Sequence, residues 1–216
     1  MGTSDVSGPA LADFEQALLS IDQATAARLL LTTYRDSGPV AAFNDLVIPA
    51  LVRIGSGWEA GEVALAQVYM SGKLCQQLIG ALPTPAIAPR TDQPTMAIAI
   101  LEDSHVLGKQ IVVQMLLSAG YSVTDWGARI SVAEVIDRVA REQIEVLFLS
   151  VLMLRSALLV SQVRQGLSQL DLHPLIVVGG APFRFDPDLA QEVGADYVGR
   201  SASDVLPILA TIEASR

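Results

Sequence analysis

The chain has 216 residues, enough for one large domain or two small ones with a real core. Lys and Arg total 14 against 23 Asp and Glu, a net charge of −9 that excludes a phosphate-backbone-binding face, so nucleic acid is not an expected partner. Hydrophobic residues make up 51% of the chain and mean hydropathy is +0.43, yet no apolar run in the sequence nears the roughly 18 residues that span a bilayer, so no membrane partner is expected.

The opening Met1-Gly2-Thr3-Ser4-Asp5 has no basic region followed by an apolar stretch, so no signal peptide is read. Cys75 is the only cysteine, which excludes an intrachain disulfide framework and fits a reducing, cytoplasmic setting.

Apolar residues recur at helical spacing from Leu11 to Ile21, and Asp22 can cap a second helix over Gln23–Tyr34. Ser37-Gly38-Pro39 stops it and starts a third helix, from about Val40 to a break at Gly55-Ser56-Gly57. A fourth is expected from about Glu62 to Leu82, giving a four-helix bundle over 1–82. Residues 83–94 hold Pro83, Pro85, Pro89 and Pro94, too many for a helix or a central strand, and read as a linker.

From 95 to 216 strands and helices alternate. Strands are expected at Thr95–Leu101, Tyr121–Asp125, Glu145–Leu152, Leu175–Val178 and Ala195–Val198. Helices fall near Lys109–Ser118, Val132–Arg141, Ala157–Leu170, Pro187–Glu192 and Ser203–Ala214. This is the pattern of a doubly wound, flavodoxin-like α/β domain with a parallel five-stranded sheet in the order 2-1-3-4-5.

In that order a ligand sits at the carboxyl ends of the strands, where the order reverses between the first and third. The loop after the first strand is Asp103-Ser104-His105-Val106-Leu107-Gly108; the third strand ends in Ser150-Val151-Leu152, and the fourth in Gly179-Gly180. A loop histidine can present imidazole to a metal such as cobalt, and Asp103 can hold its other ring nitrogen and fix the tautomer. Gly108 allows a close turn into the next helix, Ser150 offers a hydroxyl, and Gly179 and Gly180 let a bulky ligand lie against backbone. From spacing alone a metal or cofactor role and an ordinary solvent-exposed histidine both stand.

With those pieces in order, the chain resembles the corrinoid proteins of methanol-, methylamine- and methoxyaromatic-type methyltransferase systems, relatives of the cobalamin-binding module of methionine synthase. The resemblance runs from about Leu11 to Leu209 and includes Gly57-Trp58-Glu59-Ala60-Gly61-Glu62-Val63, Ser150-Val151-Leu152-Met153, Val178-Gly179-Gly180-Ala181-Pro182 and Glu192-Val193-Gly194-Ala195-Asp196. It implies a cobalamin-type cofactor with His105 as the lower axial ligand to cobalt and a proton relay through Asp103 and Ser150. It further implies cofactor contacts from Ser104, Val106 and Leu107, and a tail tunnel lined by Gly108, Leu152, Gly179 and Gly180. Val68, Tyr69 and Met70 would shelter the upper face.

The function implied is a methyl carrier that catalyses little alone. Its partners would be a substrate-specific methyltransferase and a second one that delivers the methyl group to tetrahydrofolate or a thiol. Val106, Trp126 and Leu154-Arg155-Ser156 depart from the usual pattern, which bears on the tail surroundings and the access to the upper face. A free-standing cobalamin sensor, the small subunit of an adenosylcobalamin mutase, and a flavin- or receiver-like domain without corrinoid are the alternatives.

Overall fold

In the computed structural model, residues 7–83, 87–88 and 90–216 are described. They form two compact units, within 1–84 and within 85–216.

The first unit is helical. In α1 (Ser7–Leu19), Leu11, Phe14 and Leu18 recur on one face and are buried. Asp22 caps α2 (Gln23–Asp36) by accepting from the Thr25 N–H at 3.1 Å. After Gly38, whose φ is +85°, α3 (Gly38–Ala41), a π-helical stretch Ala42–Val47 and α4 (Ile48–Glu59) run on as one rod. That rod, Gly38–Glu59, has 22 residues and a mean hydropathy of 1.3, so it is long and apolar enough to cross a bilayer by length and composition, which the sequence reading did not foresee. Within the unit it packs as a bundle helix. Phe43, Leu46, Val47, Ala50 and Ile54 are buried, and Arg53 pairs with Glu15 of α1 at 3.5 Å.

The expected break at Gly55-Ser56-Gly57 is absent, because all three residues are helical. The rod ends instead at Glu59, and Gly61 just beyond it takes the left-handed region at φ +77°. There the Glu62 N–H donates to the Gly57 carbonyl at 2.8 Å and the Gly61 N–H to the Trp58 carbonyl at 2.9 Å, which closes the helix end. A Cβ on Gly57 would stand 2.8 Å from Val63 Cγ2, so glycine there lets the chain fold back on the helix. Helix α5 (Leu65–Gly80) follows, starting later than the sequence reading placed it. Burial pushes the Cys75 thiol up to about 12, which leaves it inert packing.

The second unit is a five-stranded sheet in the order β2-β1-β3-β4-β5, with every neighbouring pair parallel. The expected flavodoxin-like arrangement is borne out. The strands are β1 (Met96–Leu101), β2 (Thr124–Ile130), β3 (Val146–Ser150), β4 (Leu175–Gly179) and β5 (Tyr197–Gly199). All six residues of β1 are buried, as a strand covered on both faces requires.

The helices are α6 (Leu107–Ser118), α7 (Val132–Glu142), α8 (Leu154–Leu158), α9 (Val160–Gln169), α10 (Ala181–Phe185), α11 (Leu189–Glu192) and α12 (Val205–Ala214). Alternation along the strands sends Leu147, Leu149, Ile176 and Val178 into one core with residues of α7 and α9.

β2 lies later than the expected Tyr121–Asp125. The Tyr121 N–H is still tied to the Leu116 carbonyl at 3.0 Å, and the strand then takes up two register shifts against β1. Gly127 (φ +92°) and Arg129 (φ +61°) absorb the extra residues. Arg90 and Gln93, in the proline-rich stretch, are fastened to this unit. The Arg90 guanidinium donates to Tyr121 Oη at 3.1 Å and pairs with Glu213 at 3.3 Å, while Gln93 makes two hydrogen bonds to the Ser122 backbone.

Candidate functional site

The site is built where β1 ends. Glu102 takes a left-handed backbone (φ +44°), with its N–H held by the Ile130 carbonyl at 3.0 Å. The next carbonyl, of Asp103, accepts from the Arg129 N–H at 2.9 Å. This turns the Asp103 side chain inward, where it is 3% exposed.

One carboxylate then organises two loops. Asp103 Oδ1 accepts from the Ser104 N–H at 2.6 Å, the His105 N–H at 3.2 Å and the His105 ring at Nδ1, 2.5 Å away. Asp103 Oδ2 accepts from the Leu152 and Met153 N–H groups at 3.0 and 3.3 Å, beyond the end of β3. Burial opposes the charge, but the His105 ring and the Leu152 and Ser104 N–H groups outweigh it and hold the carboxyl down at about 2. With Nδ1 so engaged, His105 keeps Nε2 free of any hydrogen-bond partner among the described residues, on a side chain 54% exposed.

Ser150 is not part of that network. Among the described residues no hydrogen bond joins it to Asp103 or His105, so the expected relay through Ser150 is absent from the hydrogen-bond network. Alternation turns Ser150 to the face opposite Leu149, and its hydroxyl lies 3.9 Å from where a Cβ on Gly108 would stand. Register aligns Ser150 with Gly179 and Gly179 with Gly199, forming a row of residues with little or no side chain at the carboxyl edge. Gly108, Ser150 and Gly179 thus come together, and Gly199 extends the row, a residue that the sequence reading missed.

Gly180 serves the backbone itself. Its φ is +132°, and a Cβ there would fall 1.6 Å from the Val151 carbonyl oxygen. Leu152, Met153 and Leu154 form an exposed apolar apron beyond β3, and Val106 and Leu107 are half-buried at the start of α6. Val68, Tyr69 and Met70 lie on α5 in the helical unit, with Tyr69 and Met70 exposed. Trp126 turns into the core and donates from its indole N–H to Glu142 at 2.9 Å, so this departure from the usual pattern is a packing residue. A cavity of about 400 Å³ opens at the opposite, amino edge beside Ile144, His173 and Leu175, and no expected site residue lines it.

The model of the B12 binding domain matches residues 95–210, and a second model with the same description matches residues 10–82. The chain belongs to the B12-binding domain family. Similar proteins include the trimethylamine corrinoid protein of Methanosarcina barkeri, 29% identical over 175 residues, with 78% of this chain and 79% of that one covered. Trimethylamine corrinoid protein 1 of Methanosarcina acetivorans is 25% identical over 206 residues, covering 91% and 90%. Among solved structures, the monomethylamine corrinoid protein of Methanosarcina barkeri superposes with a TM-score of 0.81 at 22% identity, covering 96% of this chain and all of that one. The methanol:cobalamin methyltransferase complex MtaBC of the same organism matches with a TM-score of 0.53 at 20% identity, covering 97% of this chain and 81% of that one.

The resemblance read from the sequence is borne out, and the cofactor of this B12-binding chain is cobalamin or a related corrinoid. The donor set fits that group. Among the described residues no cluster of three or more His, Cys, Asp or Glu could hold a bare ion. A single imidazole suffices only where a macrocycle already supplies the equatorial donors. Helix α6 also carries two buried carbonyl oxygens, Gln110 Oε1 and Gln114 Oε1, with no donor among the described residues, a feature no sequence motif announced.

Proposed function

We propose that the chain is a methyl carrier, holding a corrinoid at the carboxyl edge of the sheet with His105 Nε2 as the lower axial ligand to cobalt. The observation that carries this reading is the pairing of His105 Nδ1 with the buried Asp103, which leaves Nε2 as the outward nitrogen. The bound cobalt supplies the centre that takes up and releases the methyl group. The residues supply control of its axial position. Asp103 accepts the Nδ1–H, which leaves Nε2 as the nitrogen able to face a metal and fixes the orientation of the ring.

In this role the chain works, in the cytoplasm, between one methyltransferase that loads the methyl group and another that passes it to tetrahydrofolate or a thiol. The exposed apron Leu152, Met153 and Leu154 gives the site an apolar margin suited to a water-excluding contact.

The ligand assignment is tested on purified protein loaded with hydroxocobalamin and reduced to cobalt(II). Nitrogen-15 labelling of histidine is expected to change the superhyperfine splitting in the EPR spectrum, and His105→Ala to abolish that change. A splitting indifferent to the label would place the cofactor's own base below cobalt and overturn the assignment.

A further inference from the structure

The α/β unit sorts its cations by place. Arg90, Lys109, Arg138, Arg141, Arg164 and Arg216 are all ion-paired with carboxylates. Among the described residues Arg129, Arg155, Arg184 and Arg200 form no ion pair, and all four are exposed. Each of these lies in or just after the end of a different strand, β2, β3, β4 and β5 in turn. Every free arginine of the unit therefore stands at the edge that carries His105.

Two of them adjoin the row of small residues. Arg200 directly follows Gly199, and Arg184 lies in α10, which starts immediately after Gly179-Gly180. Among the described residues neither pairs with a neighbouring carboxylate. Asp204 Oδ2 is occupied by the Arg200 and Ser201 backbone N–H groups at 2.9 and 3.0 Å, and Asp186 accepts from the Asp188 N–H at 3.1 Å. On a chain of net charge −9, an anionic group needs such local cations to settle at all.

The corrinoid presents one anion. Its ring carries neutral amides, whereas the loop to its tail base contains a phosphodiester, which guanidinium groups bind with paired, charge-assisted hydrogen bonds. Resting on the corrinoid reading above, we propose that Arg184 and Arg200 anchor the phosphodiester of the cofactor's nucleotide loop, while Arg129 and Arg155 take no part in that contact.

The test compares three probes by their visible spectra at equilibrium: hydroxocobalamin, cobinamide phosphate, which keeps the phosphate but lacks the base, and cobinamide, which lacks both. The double variant Arg184→Gln/Arg200→Gln is expected to raise Kd about tenfold or more for the two phosphate-bearing probes. It should leave Kd for cobinamide within about twofold, as expected for loss of a contact that cobinamide never makes. The matching Lys variants should keep most of the affinity, and Arg129→Gln/Arg155→Gln should leave the ratio among probes unchanged. An equal loss for all three probes, or no loss for any, would overturn the assignment. Wild-type protein that binds none of them would overturn the corrinoid reading itself, a different result.

Discussion

Asp103 carries the site at the scale of single residues. Its carboxyl ionises at about 2 when folded, against an ordinary value of 3.8, so it contributes stability that is complete above about pH 4 and is lost as pH falls through about 2. The size is about 2 kcal/mol. Asp103→Asn is expected to remove most of that acid-limb dependence in urea titrations run from pH 5 to pH 2. It should also lower stability at pH 7, because an amide puts a donor where N–H groups already point. Gly180→Ala should cost more, about 3 kcal/mol or above, since the added carbon meets the Val151 carbonyl in a left-handed backbone. A urea midpoint unchanged by Gly180→Ala would contradict the geometry of that turn. The Asp-x-His-x-x-Gly spacing made Asp103 and His105 legible as a pair. The reach of Oδ2 to Leu152 and Met153 was not legible, because partners some fifty positions away are set by sheet register. Register likewise decides where Ser150 stands, with its hydroxyl toward Gly108.

At the scale of elements, β2 shows where sequence patterning loses its hold. Tyr121–Asp125 has the composition of a strand, but Ser122 is held by Gln93, and the ladder starts only at Thr124. Two bulges then let seven residues run beside a straight β1, and Lys109 fastens the bulged segment. It is buried, ion-paired to Asp125 and hydrogen-bonded to the Gly127 carbonyl at 3.2 Å. Asp125→Ala leaves that ammonium buried without its counter-charge and should cost about 3 kcal/mol in equilibrium unfolding. Lys109→Met in the same background should recover much of the loss. Failure of the second change to help would mean that Lys109 is hydrated rather than buried. The helix end before Gly61 is a similar case. Glycine spacing suggested a break at residues 55–57, whereas the residue with positive φ lies four positions beyond Gly57.

For the whole molecule, the strand order followed from the alternation of strands and helices, since right-handed crossovers leave few ways to wind a parallel sheet. The fate of the proline-rich stretch did not follow. Composition cannot tell a free linker from one fastened by Arg90, Tyr121 and Glu213. Each unit has its own buried apolar residues. Hydroxocobalamin at a hundred times its Kd should stabilise the unit that holds it by about 2.7 kcal/mol. Differential scanning calorimetry should show this as a rise in the transition of the α/β unit. A thermogram that does not move at saturating cofactor would exclude binding to the native fold.

The two oxygens of Asp103 grip different loops, one turning with the imidazole and the other fastened to the backbone of Leu152 and Met153. A rigid carboxylate cannot shift one grip without pulling on the other. The position of the His105 ring is therefore tied, through a single side chain, to the backbone of the apolar margin at Leu152 and Met153. In that sense the pair is a lever: a turn of the ring is felt at the surface two loops away.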